Sequence, residues 1–409
     1  MADKIKVLLL PLHRWVSSQW GSELAWAFNI AHSLGACANL EITALVGNID
    51  DEDRRQLENR VKVVSLGLPK MDSPNFSTGL NYARFQIQTA TMGMHLVREI
   101  RPDILHHVFP MGIGYGQNLQ FLLDRGGPPK IIGPLLYPVV NESVHSMAMS
   151  PAGAPSLEGS VRFLSPLLQK IHGMTIDRAS LILYDSSETQ KLAWKKKPRL
   201  SSIPWQILAT GGHEPQDVPS FKHDRELTVG VLHYLRRRKR VDLFLRALSQ
   251  TKERVSAIIG GTGPEEHSLR RLAIDLGLIE RVRFLGRVSK DQEVNFWGSV
   301  DLIVSMDSVP PLVLSPVQEA MIAGRPFVTC GPQGASYAEL PYGIVLGSTG
   351  TMFLSRILDA LARNPQKRVE MSREARRYAL ENFTTIAVRN TLVNAYSQVL
   401  NLHHEDGKR

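Results

Sequence analysis

Short apolar runs alternate with longer amphipathic stretches along most of this sequence. Apolar runs bounded by polar residues are typical of buried strands, and apolar residues three and four positions apart are typical of helices. In the first half this pattern predicts strands at 5–10, 41–46, 104–108, 130–133 and 181–184. It also predicts a helix at 23–34, while the Ala-, Pro-, Ser- and Gly-rich stretch 146–159 is predicted to be a loop.

A second series of alternating segments begins after residue 205. Its predicted strands are 228–233, 255–260, 282–285, 301–305 and 326–330, and its predicted helices are 241–248, 267–276 and 316–323. The Pro-, Gly- and His-rich stretch 203–219 is the predicted linker. A chain of 409 residues exceeds the ~250–300 residues that one hydrophobic core accommodates. The expected fold class is therefore α/β, with two doubly wound Rossmann-like domains, 1–205 and 206–385, that face each other across a cleft.

The composition is that of a globular chain, with 43% hydrophobic and 21% charged residues. It excludes a disordered chain, a collagen-like fibre and a polytopic membrane protein. Two cysteines, Cys37 and Cys330, are too few for a disulfide framework and fit a reducing cytosol. The apolar run 7–10 is shorter than the ~7–15 residues of a signal-peptide core, and no run approaches the ~20 residues that span a bilayer. The expected location is the cytoplasm, with any membrane contact peripheral and on the inner face.

The net charge of +9 favours an anionic partner, which could be a phosphorylated ligand, an acidic membrane surface or nucleic acid. The basic run 195–199 beside Trp194 fits either contact with anionic lipid or a solvated loop. We expect no nucleic acid partner, because the chain has no helix-turn-helix, RRM or zinc-finger pattern. We also expect no metal site, because no H-E-x-x-H, paired Cys-x-x-Cys or EF-hand pattern is present. The oligomeric state is not predicted.

A glycine-rich segment, Gly260-Gly-Thr-Gly-Pro264, follows a predicted strand and precedes a predicted helix. Glycines allow the backbone to approach a ligand closely, and the N–H groups of a helix N-terminus suit a phosphate. The segment lacks the third glycine of the Rossmann fingerprint and the Gly-Lys-Ser/Thr of a P-loop. By itself it leaves a phosphate site and an ordinary tight turn as alternatives.

Further motifs follow this segment in order. They are Gly261-Thr-Gly-Pro-Glu-Glu266, Arg281-Val-Arg-Phe-Leu-Gly286, Ser315-Pro-Val-Gln-Glu-Ala-Met321 and Ala323-Gly-Arg-Pro326. The succession resembles glycosyltransferase family 4, the retaining nucleotide-sugar transferases with the GT-B fold, although its donor-sugar loop diverges. The likeness covers nearly the whole chain. It implies an acceptor-side domain at 1–205, a donor-binding domain at 206–385, and a C-terminal helix at 386–409 that crosses back onto the first domain.

The resemblance implies that Lys239 contacts the diphosphate. The family usually has an arginine five residues earlier, where this chain has Tyr234. Arg236, Arg237 or Arg238 could compensate, with a solvated basic face as the alternative, and we assign Arg238 to the nucleotide site. Glu319 would accept hydrogen bonds from the ribose hydroxyls, unless its carboxylate only complements the dipole of its helix.

The same resemblance implies that other positions of the donor-binding domain contact the nucleotide or the sugar. Gly261, Gly263 and Ser315 are assigned to nucleotide binding. The family's other glutamate, which touches the donor sugar, is replaced by Pro311 here. Asp307 is the candidate that takes its place through a shifted loop.

Two features of the first domain complete the expected site. His106 and His107 end a predicted strand, and the resemblance implies that one of them contacts the donor sugar or the leaving phosphate; an ordinary polar residue is the alternative. Gly21 and Ser22 open a predicted helix whose N–H groups suit the diphosphate or a polar acceptor. The alternative is a plain helix cap, because serine is a good N-cap residue.

The resemblance thus implies a retaining, metal-independent, hexosyltransferase-like enzyme that uses a UDP-, GDP- or ADP-sugar as co-substrate, with no tightly bound cofactor. Its acceptor would be a glycan, a lipid or a small molecule. Two alternatives remain open. One is a non-catalytic relative that serves as a nucleotide-binding partner subunit, which Pro311 and Tyr234 motivate. The other is a nucleotide-sugar epimerase on the same fold.

Overall fold

Two compact units make up the chain. The first unit is formed by Met1–Gly212 with Thr385–Arg409, and the second by His213–Thr384. The computed structural model describes residues 4–13, 16, 22–69, 79–108, 127–136, 174–211, 226–307, 315–331, 336–347 and 350–406. The predicted loop at 146–159 lies outside these residues.

Seven described strands form the sheet of the first unit. They are β1 (Ile5–His13), β2 (Leu40–Val46), β3 (Val61–Ser65), β4 (Ile104–His107), β5 (Lys130–Leu135), β6 (Leu181–Tyr184) and β7 (Trp205–Ile207). They pair in the order β3-β2-β1-β4-β5-β6-β7, and every pairing is parallel. Helices cross between them: α1 (Ser22–Gly35), α2 (Asp51–Glu58), α3 (Gly79–Ile100) and α4 (Ser187–Lys196).

Strand β1 shows why the apolar runs are continuous. Val7 and Leu9 belong to one cluster of buried side chains, whereas Leu8 and Leu10 belong to another. Because successive residues of a strand point to opposite faces, the sheet is covered on both sides. This arrangement is that of a doubly wound α/β unit.

The second unit repeats the plan. Its strands are β8 (Leu227–Leu232), β9 (Val255–Gly260), β10 (Val282–Gly286), β11 (Leu302–Ser305), β12 (Phe327–Cys330), β13 (Ala338–Leu340) and β14 (Gly343–Leu346). They pair in the order β10-β9-β8-β11-β12-β14-β13, and β13 runs antiparallel to β14. Its helices are α5 (Val241–Ser249), α6 (Glu266–Asp275), α7 (Lys290–Ser299), α8 (Ser315–Ile322), α9 (Thr351–Arg363) and α10 (Pro365–Asn382).

The last helix, α11 (Thr385–Asp406), belongs to the first unit. It buries Leu392, Tyr396 and Val399 in the cluster that also contains Val7 and Leu9. The intervals of four and three residues place these side chains on one face of the helix. The second unit is therefore an insertion between residue 212 and residue 385 of the first.

The predicted linker, 203–219, begins too early. Residues Trp205–Ile207 form β7, which pairs in parallel with β6 at the edge of the first sheet. Trp205 and Ile207 are both exposed, so this three-residue strand lacks the apolar run that marks a buried strand. Within the described residues, we find no helix with the length and hydrophobicity needed to cross a membrane.

Candidate functional site

The carboxyl edge of the second sheet brings several predicted donor residues together. Strand β8 lies between β9 and β11. The chain continues from β8 toward β9 on one side and from β11 toward β12 on the other. In doubly wound sheets this reversal leaves a crevice at the carboxyl ends of the two strands, and ligands bind there. The segments that border the crevice are 233–239 after β8, 261–265 after β9, and 306–307 after β11.

An ion pair joins two of these segments. Lys239 ends a short 3-10 turn, Arg237–Lys239, and its Nζ donates a hydrogen bond to Oδ2 of Asp307. The two side chains are only 14% and 10% exposed. Because water screens this pair little, the attraction is stronger than that of a surface ion pair. The structure thus brings together two residues that the sequence analysis selected separately.

The glycine-rich segment packs against the segment after β8. Gly261 has a φ of +119°, and a Cβ there would overlap the carbonyl oxygen of His233. A Cβ on Gly263 would overlap the carbonyl oxygen of Leu235 in the same way. Leu235 also donates its N–H to the carbonyl of Thr262 at 2.9 Å. The glycines therefore permit two backbone segments to approach each other closely at the crevice.

Glu319 lies in the second turn of α8 and is half-buried. Val317, Gln318 and Ala320 on the same helix are buried, so the helix is firmly seated. The buried Arg325 follows α8, and its Nε donates to the carbonyl of Trp297 at 2.8 Å. In a parallel α/β unit the N-terminus of such a helix lies at the carboxyl edge of the sheet, which points its N–H groups toward the crevice.

The basic segment after β8 contains arginines in different surroundings. Tyr234, which stands where the family has an arginine, is exposed, and the guanidinium of Arg236 lies 4.5 Å from the centre of its ring. Arg237 and Arg238 are exposed, whereas Arg236 is half-buried. Of the three arginines considered for compensation, Arg236 is therefore the one that packs against Tyr234.

Sequence reasoning missed His233. This residue follows β8 directly and is buried, and its Nε2 lies 3.0 Å from Oγ of Ser305, the last residue of β11. Burial, together with the positive charges of Lys239 and Arg238, lowers the pKa of His233 to about 3. The imidazole is therefore neutral at pH 7. The available signal was a histidine at the end of a buried strand, six residues before Lys239, but His233 was predicted only as the last residue of that strand.

His106 and His107 end β4 in the first unit, and both are fully buried. The Nε2 of His106 lies 3.0 Å from the carbonyl oxygen of Gly133, and its Nδ1 lies 2.9 Å from the hydroxyl of Tyr396. Because a carbonyl only accepts, Nε2 carries the hydrogen and Nδ1 accepts from Tyr396. Burial lowers the pKa of His106 to about 4. A sugar contact by either histidine stays a prediction; for His106, both ring nitrogens are already bonded within the first unit.

Several predicted site residues lie outside the described part of the structure, either entirely or with their side chains. Ser22 and Ser315 are the first residues of α1 and α8, and their side chains lie outside the described part of the structure. Gly21 and Pro311 also lie outside it. No group of three or more His, Cys, Asp or Glu that could hold a metal ion occurs within the described ranges.

The basic run 195–199 lies at the end of α4 and in the turn that follows. Lys197 and Arg199 both pair with Asp177, the former at 2.6 Å. The ring of Trp194 packs edge-on against that of Trp205, with centroids 5.7 Å apart. Trp205 is 40% exposed. The basic run therefore lies beside exposed apolar surface, and Asp177 neutralises part of its positive charge.

The second unit is similar to a known family of proteins. Residues 214–378, which lie within the second unit, match the family model described as "Glycosyl transferases group 1". A search among curated proteins gives no match.

Solved structures resemble the chain over nearly its whole length. Anabaena Alr3699/HepE in complex with UDP has a TM-score of 0.63 and 17% identity, over 97% of this chain and 100% of that one. Sucrose-phosphate synthase (tll1590) from Thermosynechococcus elongatus has a TM-score of 0.68 and 13% identity, over 98% and 100%. The lipopolysaccharide outer core galactosyltransferase WaaB has a TM-score of 0.64 and 16% identity, over 96% and 99%. These similarities confirm the predicted fold class, two parallel-sheet Rossmann-like domains of the GT-B type. Membership of family 4 stays a prediction.

Proposed function

We propose that this chain is a glycosyltransferase that moves a sugar from a nucleotide-diphosphate sugar to an acceptor. The observation that carries the proposal is the crevice of the second unit. There a largely shielded lysine, a glycine-rich segment and the helix that bears Glu319 converge in a domain that matches the glycosyl transferases group 1 model. One shielded cation, Lys239, and the N-termini of α6 and α8 at one sheet edge suit a diphosphate.

Each residue then has a chemical task. The bond between the sugar and the diphosphate breaks with negative charge accumulating on the leaving phosphate, and Lys239 Nζ stabilises that charge. Asp307 holds Lys239 at the crevice and is available to the hydroxyls of the donor sugar. Glu319 accepts hydrogen bonds from the ribose hydroxyls. With a lysine in this role, the charge of the leaving group is met without a metal ion.

The configuration of the transferred sugar is retained in this proposal, with the leaving phosphate accepting the proton of the attacking hydroxyl. We favour UDP as the nucleotide of the donor, because HepE was solved with UDP and with UDP-glucose. The acceptor is a glycan, a lipid or a small molecule. The reaction takes place in the cytoplasm, and anionic membrane contacts the basic and aromatic surface around Trp205.

The melting temperature in the presence of UDP, GDP and ADP tests the donor site. A ligand at 100 times its Kd stabilises the folded protein by about 2.7 kcal/mol. We expect UDP to raise the melting temperature of the unaltered protein. Glu319→Ala should abolish the rise, and Glu370→Ala, an exposed glutamate on α10, should keep it. No rise with any nucleotide, or with UDP-glucose, would contradict the proposal.

Product analysis separates the remaining alternatives. With UDP-glucose and a panel of sugar, lipid and small-molecule acceptors, a transferase forms product only when an acceptor is present. A changed nucleotide sugar in the absence of acceptor would indicate an epimerase. Nucleotide binding without any product would indicate a binding subunit.

A further inference from the structure

His233 occupies the point where the three segments around the crevice meet. It follows β8 directly, and β8 is the strand between β9 and β11. Its side chain reaches Ser305 at the end of β11, with 3.0 Å between Nε2 and Oγ. Its backbone N–H donates to the carbonyl of Gly260 at the end of β9, at 3.2 Å. One residue thus contacts the carboxyl ends of both neighbouring strands.

Two described links join the segment after β8 to the end of β11 and to the segment after it. The first is the hydrogen bond between His233 and Ser305, and the second is the ion pair between Lys239 and Asp307. His233 and Lys239 are six residues apart, and Ser305 and Asp307 are two residues apart. The first link is buried and the second lies at the partly accessible edge. The buried hydrogen bond therefore fixes the start of the segment that carries Lys239.

The glycine-rich segment depends on the same residue. The carbonyl oxygen of His233 occupies the space that a Cβ on Gly261 would need. A shift of the backbone at His233 would therefore move two of the three segments that border the crevice.

We infer that His233 is a positioning residue, whose hydrogen bond to Ser305 holds Lys239 and the glycine-rich segment in the arrangement that receives the diphosphate. This inference rests on the proposed function. His233 itself does not touch the ligand, because its ring is buried and bonded to Ser305.

Two substitutions at this position separate the hydrogen bond from the volume of the side chain. His233→Gln places an amide nitrogen near the position of Nε2 and should keep the bond, so UDP should bind with nearly unchanged Kd. His233→Leu has a similar volume but no donor or acceptor. If segment 233–239 of this variant is in the arrangement that binds UDP only a fifth of the time, the Kd for UDP rises about fivefold. Ser305→Ala should give a rise of the same size, and Ser355→Ala, another buried serine of this unit, should give none.

The double variant His233→Leu/Ser305→Ala tests for a merely structural role. Removing both partners leaves no buried polar group unsatisfied, so the melting temperature without nucleotide should recover relative to His233→Leu. The Kd for UDP should stay about fivefold higher, because the link is still missing. In addition, His233→Leu should weaken binding by less than fivefold when Lys239 is already alanine, because the part of its effect that acts through that lysine is then absent.

Calorimetric titration with UDP, together with melting temperatures of the same variants, decides the outcome. Recovery of the unaltered Kd in the double variant overturns the inference alone, and so does a full fivefold loss on top of Lys239→Ala. Failure of the unaltered protein to bind UDP, GDP or ADP overturns the proposed function, and the inference with it.

Discussion

Lys239 is the cation on which the proposed chemistry depends. Its Nζ is held by Asp307 and is largely shielded from water, so its charge acts strongly on a diphosphate at the crevice. Removing one preorganised group that stabilises transition-state charge typically costs about 100- to 1,000-fold in rate. We therefore expect Lys239→Met to lower kcat for sugar transfer by at least about 100-fold. Lys252→Met, at an exposed lysine of the same unit, is the matched control and should leave kcat unchanged.

Gly261 and Gly277 allow a steric prediction with an internal control. Both have positive φ, +119° and +67°, so alanine is strained at each. A Cβ on Gly261 would overlap a backbone carbonyl, whereas a Cβ on Gly277 meets no atom within 4 Å. We expect Gly277→Ala to lower the free energy of unfolding by about 1 kcal/mol and Gly261→Ala by about 3 kcal/mol or more. Denaturant unfolding measures both, and equal losses would contradict the steric account.

At the scale of elements, α4 and β7 carry an exposed surface that no other described element covers. It combines the exposed side chains of Trp205 and Ile207 with the exposed Lys195 and Lys196. Aromatic groups with neighbouring lysines suit the interface of an anionic membrane, where each basic residue contributes about 1 kcal/mol.

Co-sedimentation with vesicles tests this surface. We expect binding to vesicles that contain phosphatidylglycerol, and none to vesicles of phosphatidylcholine alone. Trp205→Ser, and Lys195→Glu with Lys196→Glu, should each reduce binding several-fold. The pair Lys252→Glu and Arg271→Glu makes the same change in net charge on the second unit and serves as the control. Equal loss in the control would indicate a nonspecific charge effect.

The predictability of each element depended on what its side chains bury. Strands such as β1 and β9 were predicted because their apolar runs reflect burial on both faces. Strand β3 contains the exposed Lys62, and β7 has only three residues, so neither forms an apolar run that the sequence pattern would reveal. Pairing with β2 and β6 forms these strands, and that pairing is a property of the sheet.

Site contacts were less predictable than site residues. Lys239 and Asp307 are 68 residues apart, and only the pairing of β8 with β11 brings them together. His106 and Tyr396 are 290 residues apart. A motif identifies residue types at local spacing, whereas these partners are fixed by the topology.

At the scale of the whole molecule, each unit has a buried neutral histidine. Burial lowers the pKa of His106 to about 4, and burial with two nearby cations lowers that of His233 to about 3. In the unfolded chain both would have a pKa of about 6.5. Below pH 6.5 the unfolded state therefore binds protons that the folded state does not, so stability falls as the pH is lowered from about 6.5 toward 4.

This pH dependence is measurable. At pH 5 each histidine should lower the free energy of unfolding by about 2 kcal/mol relative to pH 7. Denaturant unfolding at the two pH values should show a smaller difference for His233→Gln than for the unaltered protein. An identical difference would show that His233 does not contribute.

The return of α11 to the first unit has a consequence for synthesis on the ribosome. The second unit is complete once residue 384 has left the exit tunnel, whereas the first unit still lacks the helix that supplies Leu392, Tyr396 and Val399 to its core. The order of maturation is therefore the reverse of the order of translation. Until α11 is translated, the first unit has part of its apolar surface uncovered.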